Sequence, residues 1–274
     1  MHSWPAPAKL NLFLHVNGRR QDGYHSLQTA FQFLDYADEL SFSVTNDGRI
    51  TRAEPLVGVD EDTDLTLRAA HLLQEVAGVK QGVAIRVKKR IPIGGGLGGG
   101  SSDAATTLLA LNRLWCLRFE RFQLARLGLQ LGADVPVFIG GRAAWAEGVG
   151  EHLTPLEPKE AWYLVAVPPV HVSTAKVFGE LSLTGFSAPI TIRDFHAGRI
   201  HNDLEQVVRR YYPEVDRTFA WLARFGQPRM TGSGGCVYLT ITDAETGKRI
   251  LAQLPQGLGG FVARGANRHP LLEM

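Results

Sequence analysis

Apolar and polar residues alternate in two stretches of the chain. Every second residue in 10–16 is a leucine or a valine, which predicts a β-strand with one buried face. The dipeptide Asn17-Gly18 predicts a turn that closes this strand, and the polar residues 19–25 predict a loop. Residues 46–48, Asn-Asp-Gly, suit a hairpin turn. The alternation of valine and isoleucine in 83–87 predicts a further strand.

Other stretches repeat their apolar residues every three or four positions, the period of a helix. Asp64 is expected to cap the first of these helices and Gly78 to end it. The face that this helix is expected to bury carries Leu65, Ala69, Leu72 and Val76. Further helices are predicted at 104–115, 120–131, 174–181, 202–211 and 213–224, and from Asp243 onward. Further strands are predicted at 143–146, 162–167, 237–241 and 260–263.

The order of these elements predicts an α+β fold and not a regular βαβ alternation. The chain has 274 residues, and at roughly 150 residues per domain this length predicts just under two domains. We expect the boundary between residues 150 and 160, with an N-terminal domain of 1–155 and a C-terminal domain of 156–274. A chain of this length can bury a core without disulfides or a structural metal.

Composition narrows the class of protein. A hydrophobic fraction of 45% and a charged fraction of 20% are typical of a folded globular chain. The net charge of +2 gives no global attraction to nucleic acid or to a membrane. Two cysteines make neither a disulfide framework nor a zinc site, and free thiols suit a reducing cytoplasm. Residues 1–10 lack the apolar stretch of a signal peptide. We therefore expect a cytoplasmic protein that has neither a nucleic-acid partner nor a membrane partner.

Glycine is concentrated in residues 92–105, whose sequence is PIGGGLGGGSSDAA. Six glycines between a strand and a helix let the backbone approach a ligand closely and adopt positive φ. Successive N–H groups and the start of the helix would then face an anion, for which a polyphosphate fits well. The serine hydroxyls add donors beside which a metal ion can sit, although no metal ligand is assigned. The expected nucleotide contacts are Pro92, Gly94, Gly95, Gly96, Leu97, Gly98, Gly99, Gly100, Ser101 and Ser102.

Other phosphate-binding loops agree less well with this segment. A Walker A loop needs a lysine after its glycines, and a protein-kinase loop needs HRD and DFG motifs, none of which is present. Gly94, Gly96 and Gly99 match the GxGxxG pattern of dinucleotide-binding folds. Glu120 lies at about the acidic offset of such folds, but its neighbours are not typical of a strand end. A tight turn without a ligand is the remaining alternative.

Three further segments carry polar side chains whose role the residues alone leave open. Residues 7–12, PAKLNL, put a lysine and an asparagine on the strand face opposite the leucines, toward either a cleft or solvent. Residues 132–136, GADVP, contain an aspartate that ordinary helix capping explains equally well. Residues 230–236, MTGSGGC, predict a second glycine turn that leads into a strand, and a plain β-turn would account for it.

Together these segments resemble the GHMP kinases. The glycine segment resembles their phosphate loop, and the turn at 230–236 resembles a third motif of the family, which implies that it packs against that loop. Its longer form, combined with PAKLNL, DGYH at 22–25 and GADVP in this order, resembles the branch that phosphorylates a hydroxyl group of a cytidyl-bearing methylerythritol. The resemblance covers 5–267. It implies a two-domain α+β fold with the active site in the cleft between the domains, ATP and Mg²⁺ as cofactors, and a small-molecule cytidyl substrate.

The same resemblance implies roles for individual residues. Lys9 and Asp134 would be the catalytic pair, in which the aspartate accepts or orients the proton of the substrate hydroxyl and the lysine stabilises the transferring phosphoryl group. Such roles suit phosphoryl transfer, which needs positioning and charge neutralisation above all. The implied substrate contacts are Asn11, Tyr24, His25, Thr174 and Phe178. Tyr24 and Phe178 would stack on the cytosine, and His25 would hydrogen-bond its edge.

Two questions stay open within the resemblance. The family commonly has asparagine where Asp64 stands, and a carboxylate lacks the donor that an amide would offer to adenine. Other GHMP kinases, such as homoserine or mevalonate kinase, are the nearest rival function, and a nucleotide-binding oxidoreductase is a rival from another class.

Overall fold

The computed structural model describes residues 3–181 and 185–273. Within this part of the chain there are ten strands, nine α-helices and a short 3-10 helix at Glu61–Thr63. The strands are β1 (Trp4–Arg19), β2 (His25–Thr45), β3 (Ile50–Arg52), β4 (Gly82–Lys88), β5 (Ala144–Gly148), β6 (His152–Pro155), β7 (Trp162–Val167), β8 (Pro228–Met230), β9 (Val237–Ile241) and β10 (Gly259–Ala266). The helices are α1 (Leu65–Ala77), α2 (Gly99–Leu114), α3 (Arg121–Leu129), α4 (Val135–Gly140), α5 (Thr174–Glu180), α6 (Ile192–His196), α7 (Glu205–Tyr211), α8 (Pro213–Leu222) and α9 (Ala244–Leu251).

One ten-stranded sheet runs through both halves of the chain, which confirms the α+β prediction. Its main path is β3-β4-β2-β10-β7-β9-β8, while β1 and β5 pair with β2, and β6 pairs with β5. Among the described strand pairs only β3 and β4 are parallel. The long strand β2 meets β10 through Leu34 and Gly265, so it joins the N-terminal half of the sheet to the C-terminal half.

The first strand is buried on both faces, so of the two alternatives for the face of Lys9 and Asn11 the solvent-facing one is wrong. Lys9 and Asn11 are each 3% exposed. One reason is that β1 lies between the two halves, where Leu10 shares a core cluster with Val165 of β7. The expected turn at Asn17-Gly18 was also wrong, because β1 continues to Arg19 and the chain reverses in residues 20–24, inside the predicted polar loop.

Helix α1 begins and ends where the sequence predicts, but it buries a different face. Asp64 accepts the N–H of Thr66 at 2.8 Å, and Gly78 adopts the left-handed conformation with φ 64°. The buried residues are Thr66, Leu67, Ala69, Ala70 and Leu73, whereas Leu72 is half-buried and Val76 is 49% exposed. The stripe is displaced toward Leu67, Ala70 and Leu73, which share one core cluster with residues of α2.

Two further expectations are corrected by the sheet. Residues 46–48 turn the chain but form no hairpin, because β4 already occupies the edge of β2 and β3 adds to β4 instead. The dinucleotide-binding alternative is wrong, because β4 runs antiparallel to β2 and Glu120 is the N-cap of α3. Among the described helices, none has the length and apolar character that a membrane crossing needs.

Candidate active site

A cavity of about 1330 Å³ lies where the two halves of the chain meet. The glycine segment, β1, the loop at 20–24, the segment before α4 and the start of α5 all contribute to its walls. The sequence-predicted residues that line it are Lys9, Asn11, Tyr24, His25, Pro92, residues 94–101, Asp134, Thr174 and Phe178. Ser102 does not line the cavity, because it lies on the buried side of α2 and is fully inaccessible to solvent.

The backbone of the glycine segment forms one end of this cavity. Helix α2 begins at Gly99, five residues before its predicted start, and its N-cap Gly98 has φ 70° and no side-chain cap. The first hydrogen bond within the helix is donated by Ser102 N to Gly98 O at 2.8 Å. The preceding N–H groups are therefore available, and the residues that carry them line the cavity. Together with the helix dipole they form a site for an anion.

Close packing makes glycine necessary at two positions of this segment. A Cβ on Gly96, whose φ is 77°, would lie 2.3 Å from the backbone oxygen of Thr231. A Cβ on Gly98 would lie 3.0 Å from Cε of Lys9 and 3.0 Å from Cζ of Phe138. Side chains at these positions would push the glycine segment away from its neighbours.

The second glycine turn, residues 230–236, packs directly behind the first. The Thr231 hydroxyl donates to Gly96 O at 3.3 Å, and Cys236 N donates to Gly95 O at 3.1 Å. Asn202 supports the turn from the other side by donating to Gly232 O at 2.9 Å. The turn is therefore not a free surface turn, and Gly232 and Ser233 reach the wall of the cavity.

Lys9 and Asp134 meet at the centre of the cavity although they are distant in sequence. The Lys9 Nζ atom lies 3.1 Å from Asp134 Oδ2 and donates to Gly96 O at 3.1 Å. Its third partner is Asn11 Oδ1, at 2.5 Å. The lysine is 3% exposed and its carboxylate partner 32% exposed. A fixed ammonium thus faces a carboxylate that a ligand can reach.

Asp134 occupies the position of a helix N-cap without acting as one. It directly precedes α4, yet its side chain makes no capping hydrogen bond. The carboxylate is instead turned toward Lys9. The capping alternative that the residues alone allow is therefore wrong in its chemistry, although the helix does start at Val135 with Pro136 in its first turn.

Asn11 is held by two hydrogen bonds and in turn fixes Lys9. Its Nδ2 donates to the Thr29 hydroxyl at 2.9 Å, and its backbone N–H donates to the Thr231 hydroxyl at 2.9 Å. The side-chain oxygen is thereby directed at the Lys9 ammonium. The geometry gives Asn11 a positioning role, and the contact with substrate expected for it stays a prediction.

Aromatic side chains form the other end of the cavity. The rings of His25 and Phe178 are stacked, with centroids 5.2 Å apart and planes inclined by 29°. Burial, and secondly the charge of Arg19, lower the pKa of His25, which keeps the imidazole neutral at neutral pH. Tyr24 is 66% exposed. The Thr174 hydroxyl lies 2.7 Å from that of Ser233, which connects α5 to the second glycine turn.

A buried charge cluster beneath the glycine segment was missed. Lys89 donates to Asp103 Oδ2 at 2.7 Å and also to Asp38, whose other oxygen accepts the N–H of Ile91 at 2.8 Å. Burial, opposed by Lys89, raises the pKa of Asp103 to about 8. The run Lys88-Lys89-Arg90 looks solvated in sequence, yet Lys89 is only 16% exposed. One sequence signal could have revealed the cluster: the carboxylate of Asp103 lies among small apolar residues of a predicted helix and so needs a buried partner.

Asp64 also lines the cavity, and its charge is compensated by an arginine. Its Oδ2 accepts from Arg52 Nε at 2.7 Å, and its Oδ1 accepts the N–H of Thr66. Both oxygens are therefore engaged by the protein. Other residues of the cavity wall that the sequence did not single out are Leu56, Val59, His171 and Phe186.

The chain matches two family models, each over the corresponding part of this architecture. The GHMP kinases N terminal domain matches residues 64–142, and the GHMP kinases C terminal model matches residues 191–259. The first spans the glycine segment and Asp134, and the second spans the second glycine turn.

Similarity to named proteins extends over nearly the whole chain. A 4-diphosphocytidyl-2-C-methyl-D-erythritol kinase of Thiobacillus denitrificans is 55% identical over 99% of this chain and 98% of its own length. One of Shewanella loihica is 51% identical over 98% of this chain and 95% of its own.

Solved structures show the same similarity over nearly the whole chain. A crystal structure of 4-(cytidine 5'-diphospho)-2C-methyl-D-erythritol kinase matches with a TM-score of 0.85 and 34% identity, over 97% of this chain and 99% of the other. A mevalonate kinase shares the fold at a TM-score of 0.73 and 18% identity, over 98% of this chain and 100% of its own. With identity this high across both halves, the chain belongs to the GHMP kinases and, within them, to the family of 4-diphosphocytidyl-2-C-methyl-D-erythritol kinases.

Proposed function

We propose that the protein transfers the γ-phosphoryl group of ATP to the 2-hydroxyl of 4-diphosphocytidyl-2-C-methyl-D-erythritol, a step of the non-mevalonate route to isoprenoid precursors. One observation carries the proposal: a single cavity places the Lys9–Asp134 couple between a backbone anion site and an aromatic cluster. This arrangement suits a triphosphate at one end and a nucleobase at the other. The relatives that share both halves of the chain are named for this substrate.

The glycine segment would hold the phosphate tail of ATP. Phosphoryl transfer leaves little covalent work to the protein, so charge stabilisation and alignment of the donor and acceptor oxygens dominate. Backbone N–H groups at the start of α2 are already oriented, and the tight contact of Gly96 with Thr231 keeps them so. Donors fixed in advance need no reorganisation when charge develops on the phosphoryl group.

Asp134 would receive or orient the proton of the attacking hydroxyl. Its carboxylate is partly exposed to the cavity, and the Lys9 ammonium at 3.1 Å holds it in place. The same ammonium donates to Gly96 O, so its positive charge is fixed beside the phosphate loop. One lysine can thus stabilise both the base and the transferring group.

Magnesium ions prefer oxygen ligands and in kinases are held by one or two carboxylates, water and the phosphates of the nucleotide. Within residues 3–181 and 185–273, no group of three His, Cys, Asp or Glu side chains is arranged to hold a metal. The Ser101 hydroxyl and the Asp134 carboxylate both line the cavity, and they fit an ion bound mainly through phosphate oxygens. Such an ion would neutralise phosphate charge when bound.

The aromatic end would recognise the cytidine. Stacking is available to every base, so stacking on Tyr24 or Phe178 gives affinity without choosing cytosine. The neutral imidazole of His25 has one donor and one acceptor nitrogen, which can select by hydrogen bonding at the edge of the base. Binding energy from this remote group would help to orient the reacting hydroxyl.

We infer a cytoplasmic location and the absence of nucleic-acid or membrane partners. Cys116 and Cys236 are both free, and thiols persist in reducing compartments. The net charge of +2 offers no strong attraction to a polyanion.

The direct test is a comparison of acceptor alcohols. The purified protein is incubated with Mg-ATP and with the cytidyl substrate, mevalonate or homoserine, and ADP release is measured together with the phosphorus NMR spectrum of the product. We expect turnover with the cytidyl substrate and none with mevalonate or homoserine.

A variant test addresses the substrate contact. In Tyr24→Ala the KM for the cytidyl substrate should rise while the KM for ATP stays constant. Phe122→Ala, which removes an exposed ring of α3 away from the cavity, is the matched control. Phosphorylation of mevalonate or homoserine in place of the cytidyl substrate contradicts the proposal.

A further inference from the structure

Phe186 is an aromatic side chain of the cavity wall that the mechanism above leaves without a role. Its ring centroid lies 6.3 Å from that of His25, with the planes inclined by 54°. His25 is also stacked on Phe178, at 5.2 Å. The imidazole that faces the cavity is therefore in contact with two phenyl rings, one from α5 and one from the segment that follows residues 182–184.

The backbone next to Phe186 is firmly attached to the end of β1. Ser187 N donates to Val16 O at 2.9 Å, and its hydroxyl donates to Asp203 Oδ1 at 2.8 Å. The carbonyl of Ser187 accepts from Asn17 Nδ2 at 3.0 Å. The position of the ring is thus coupled to the strand that carries Lys9.

Exposure of this ring indicates what kind of group covers it. Phe186 is 48% exposed, and large apolar side chains exposed inside a concave site are typical of ligand-binding surfaces. A phenyl ring offers no hydrogen bond to a phosphate or to a sugar hydroxyl. Its favourable partners are apolar groups and other rings, and the phosphate-binding backbone lies at the opposite end of the cavity.

We propose that Phe186 is a positioning and specificity-determining residue for the pyrimidine ring of the substrate. Together with Phe178 it fixes the orientation of the His25 imidazole, and its exposed face gains cover from the base. This inference rests on the proposed function and adds a residue to its substrate site. Without the Phe186 ring the His25 imidazole can rotate, and its hydrogen bonds then discriminate less well between cytosine and other pyrimidines. The affinity for the cytidyl substrate falls as well, because the base loses a contact.

Titration calorimetry with two probes, cytidine 5′-diphosphate and uridine 5′-diphosphate, tests this directly. In Phe186→Ala we expect affinity for the cytidine probe to fall roughly three- to tenfold, and the preference for the cytidine over the uridine probe to shrink. The KM for the cytidyl substrate should rise and the KM for ATP should not change. Phe186→Tyr, which keeps the ring, should restore wild-type binding, and Phe186→Leu should not.

The controls distinguish a failure of the role proposed for Phe186 from a failure of the proposed function. Phe122→Ala removes another exposed phenylalanine and should leave both probes unaffected. Wild-type affinity and preference in Phe186→Ala would overturn the inference while the proposed function stands. Equal losses for ATP and the cytidine probe, without rescue by Phe186→Tyr, would also overturn it, because they indicate general damage. A wild-type protein that neither binds the cytidine probe nor phosphorylates the cytidyl substrate removes the proposed function itself.

Discussion

The three protons of the Lys9 ammonium have three acceptors, supplied by Asp134, Asn11 and Gly96. A buried charge left without such partners is costly, and removal of one partner of a buried pair destabilises a protein far more than its surface equivalent. Because Asp134 is partly exposed and Lys9 is not, the two residues should respond differently to substitution. Loss of the aspartate leaves a lysine that still has two acceptors.

Asp134→Ala should therefore fold and bind ATP but lose phosphoryl transfer. General base catalysis is worth roughly 10²–10⁴-fold, and we expect the rate of ADP formation with the cytidyl substrate to fall by about that factor. Binding of a non-hydrolysable ATP analogue, measured by calorimetry, should change little. Asp134→Asn is the control for side-chain volume. An unchanged rate in Asp134→Ala would refute its role in the reaction.

His269 gives a prediction of pH-dependent stability. It is 2% exposed, and its Nδ1 accepts the N–H of Leu271 at 3.0 Å. Burial, and secondly the charge of Arg121, lower the pKa of His269 to about 3 from its ordinary value of 6.5. The unfolded chain therefore binds more protons between pH 6.5 and 3. Stability due to this group is fully present above pH 6.5 and is lost by about 1.4 kcal/mol per pH unit below it.

Urea unfolding of wild type and His269→Asn at pH 7 and pH 5 measures this difference. The asparagine oxygen can still accept the Leu271 N–H, but it does not titrate. The variant should lose less stability than wild type on going from pH 7 to pH 5. Parallel losses in both proteins would show that His269 is not the group responsible.

The predictions of individual site residues came from the family resemblance and not from local sequence patterns. Taken alone, Lys9 on an alternating strand is most often solvated, and helix capping explains Asp134, two residues before a proline, equally well. Neither pattern contains the information that the two side chains lie 3.1 Å apart. That contact depends on how β1 and the start of α4 are packed. Phe186, Lys89 and Asp38 were missed for the same reason.

At the scale of elements, secondary-structure periods located the strands and helices that they predicted, but they did not predict β2 or α4 and placed the start of α2 too late. Glycine is a poor helix former, so the local pattern favours a helix only from residue 104. The structure begins α2 at Gly99, where a Cβ would lie 3.0 Å from Cγ2 of Ile91. A side chain at this first turn would crowd Ile91, so tertiary packing favours glycine here despite its low helix propensity. The same turn supplies the N–H groups of the anion site.

The two glycine turns form one packed unit, and Gly96→Ala should disrupt it. The left-handed φ of 77° is strained for alanine, and its Cβ would meet Thr231 O at 2.3 Å. We expect a loss of more than about 1 kcal/mol in the free energy of unfolding and a much weaker affinity for ATP. Chemical denaturation and calorimetry measure the two effects.

Gly140→Ala is the matched control for this prediction. Gly140 is helical, at the end of α4, and a Cβ there would meet no atom within 4 Å. The variant should keep wild-type stability and ATP affinity. Equal behaviour of the two alanine variants would contradict the packing argument.

At the scale of the whole molecule, the connection between the halves was beyond sequence patterns. The composition and length predict two domains with a boundary near 150–160, and that boundary stays a prediction. The pairing of Leu34 with Gly265 joins positions far apart in the chain, and neither segment carries a local sign of its partner. The cavity depends on this pairing, because its anion end and much of its aromatic end come from different halves.

Because the sheet is continuous and β1 packs into the cores of both halves, the chain should unfold as one cooperative unit. Differential scanning calorimetry should show a single endotherm whose calorimetric and van't Hoff enthalpies agree.

A non-hydrolysable ATP analogue at 100 times its Kd should stabilise the whole chain by about 2.7 kcal/mol and shift that single endotherm to higher temperature. NAD, the ligand of the rejected dinucleotide fold, is the control and should produce no shift. Two separate endotherms, only one of which moves with the ATP analogue, would show that the halves are independent and that the shared strands β1 and β2 do not couple them.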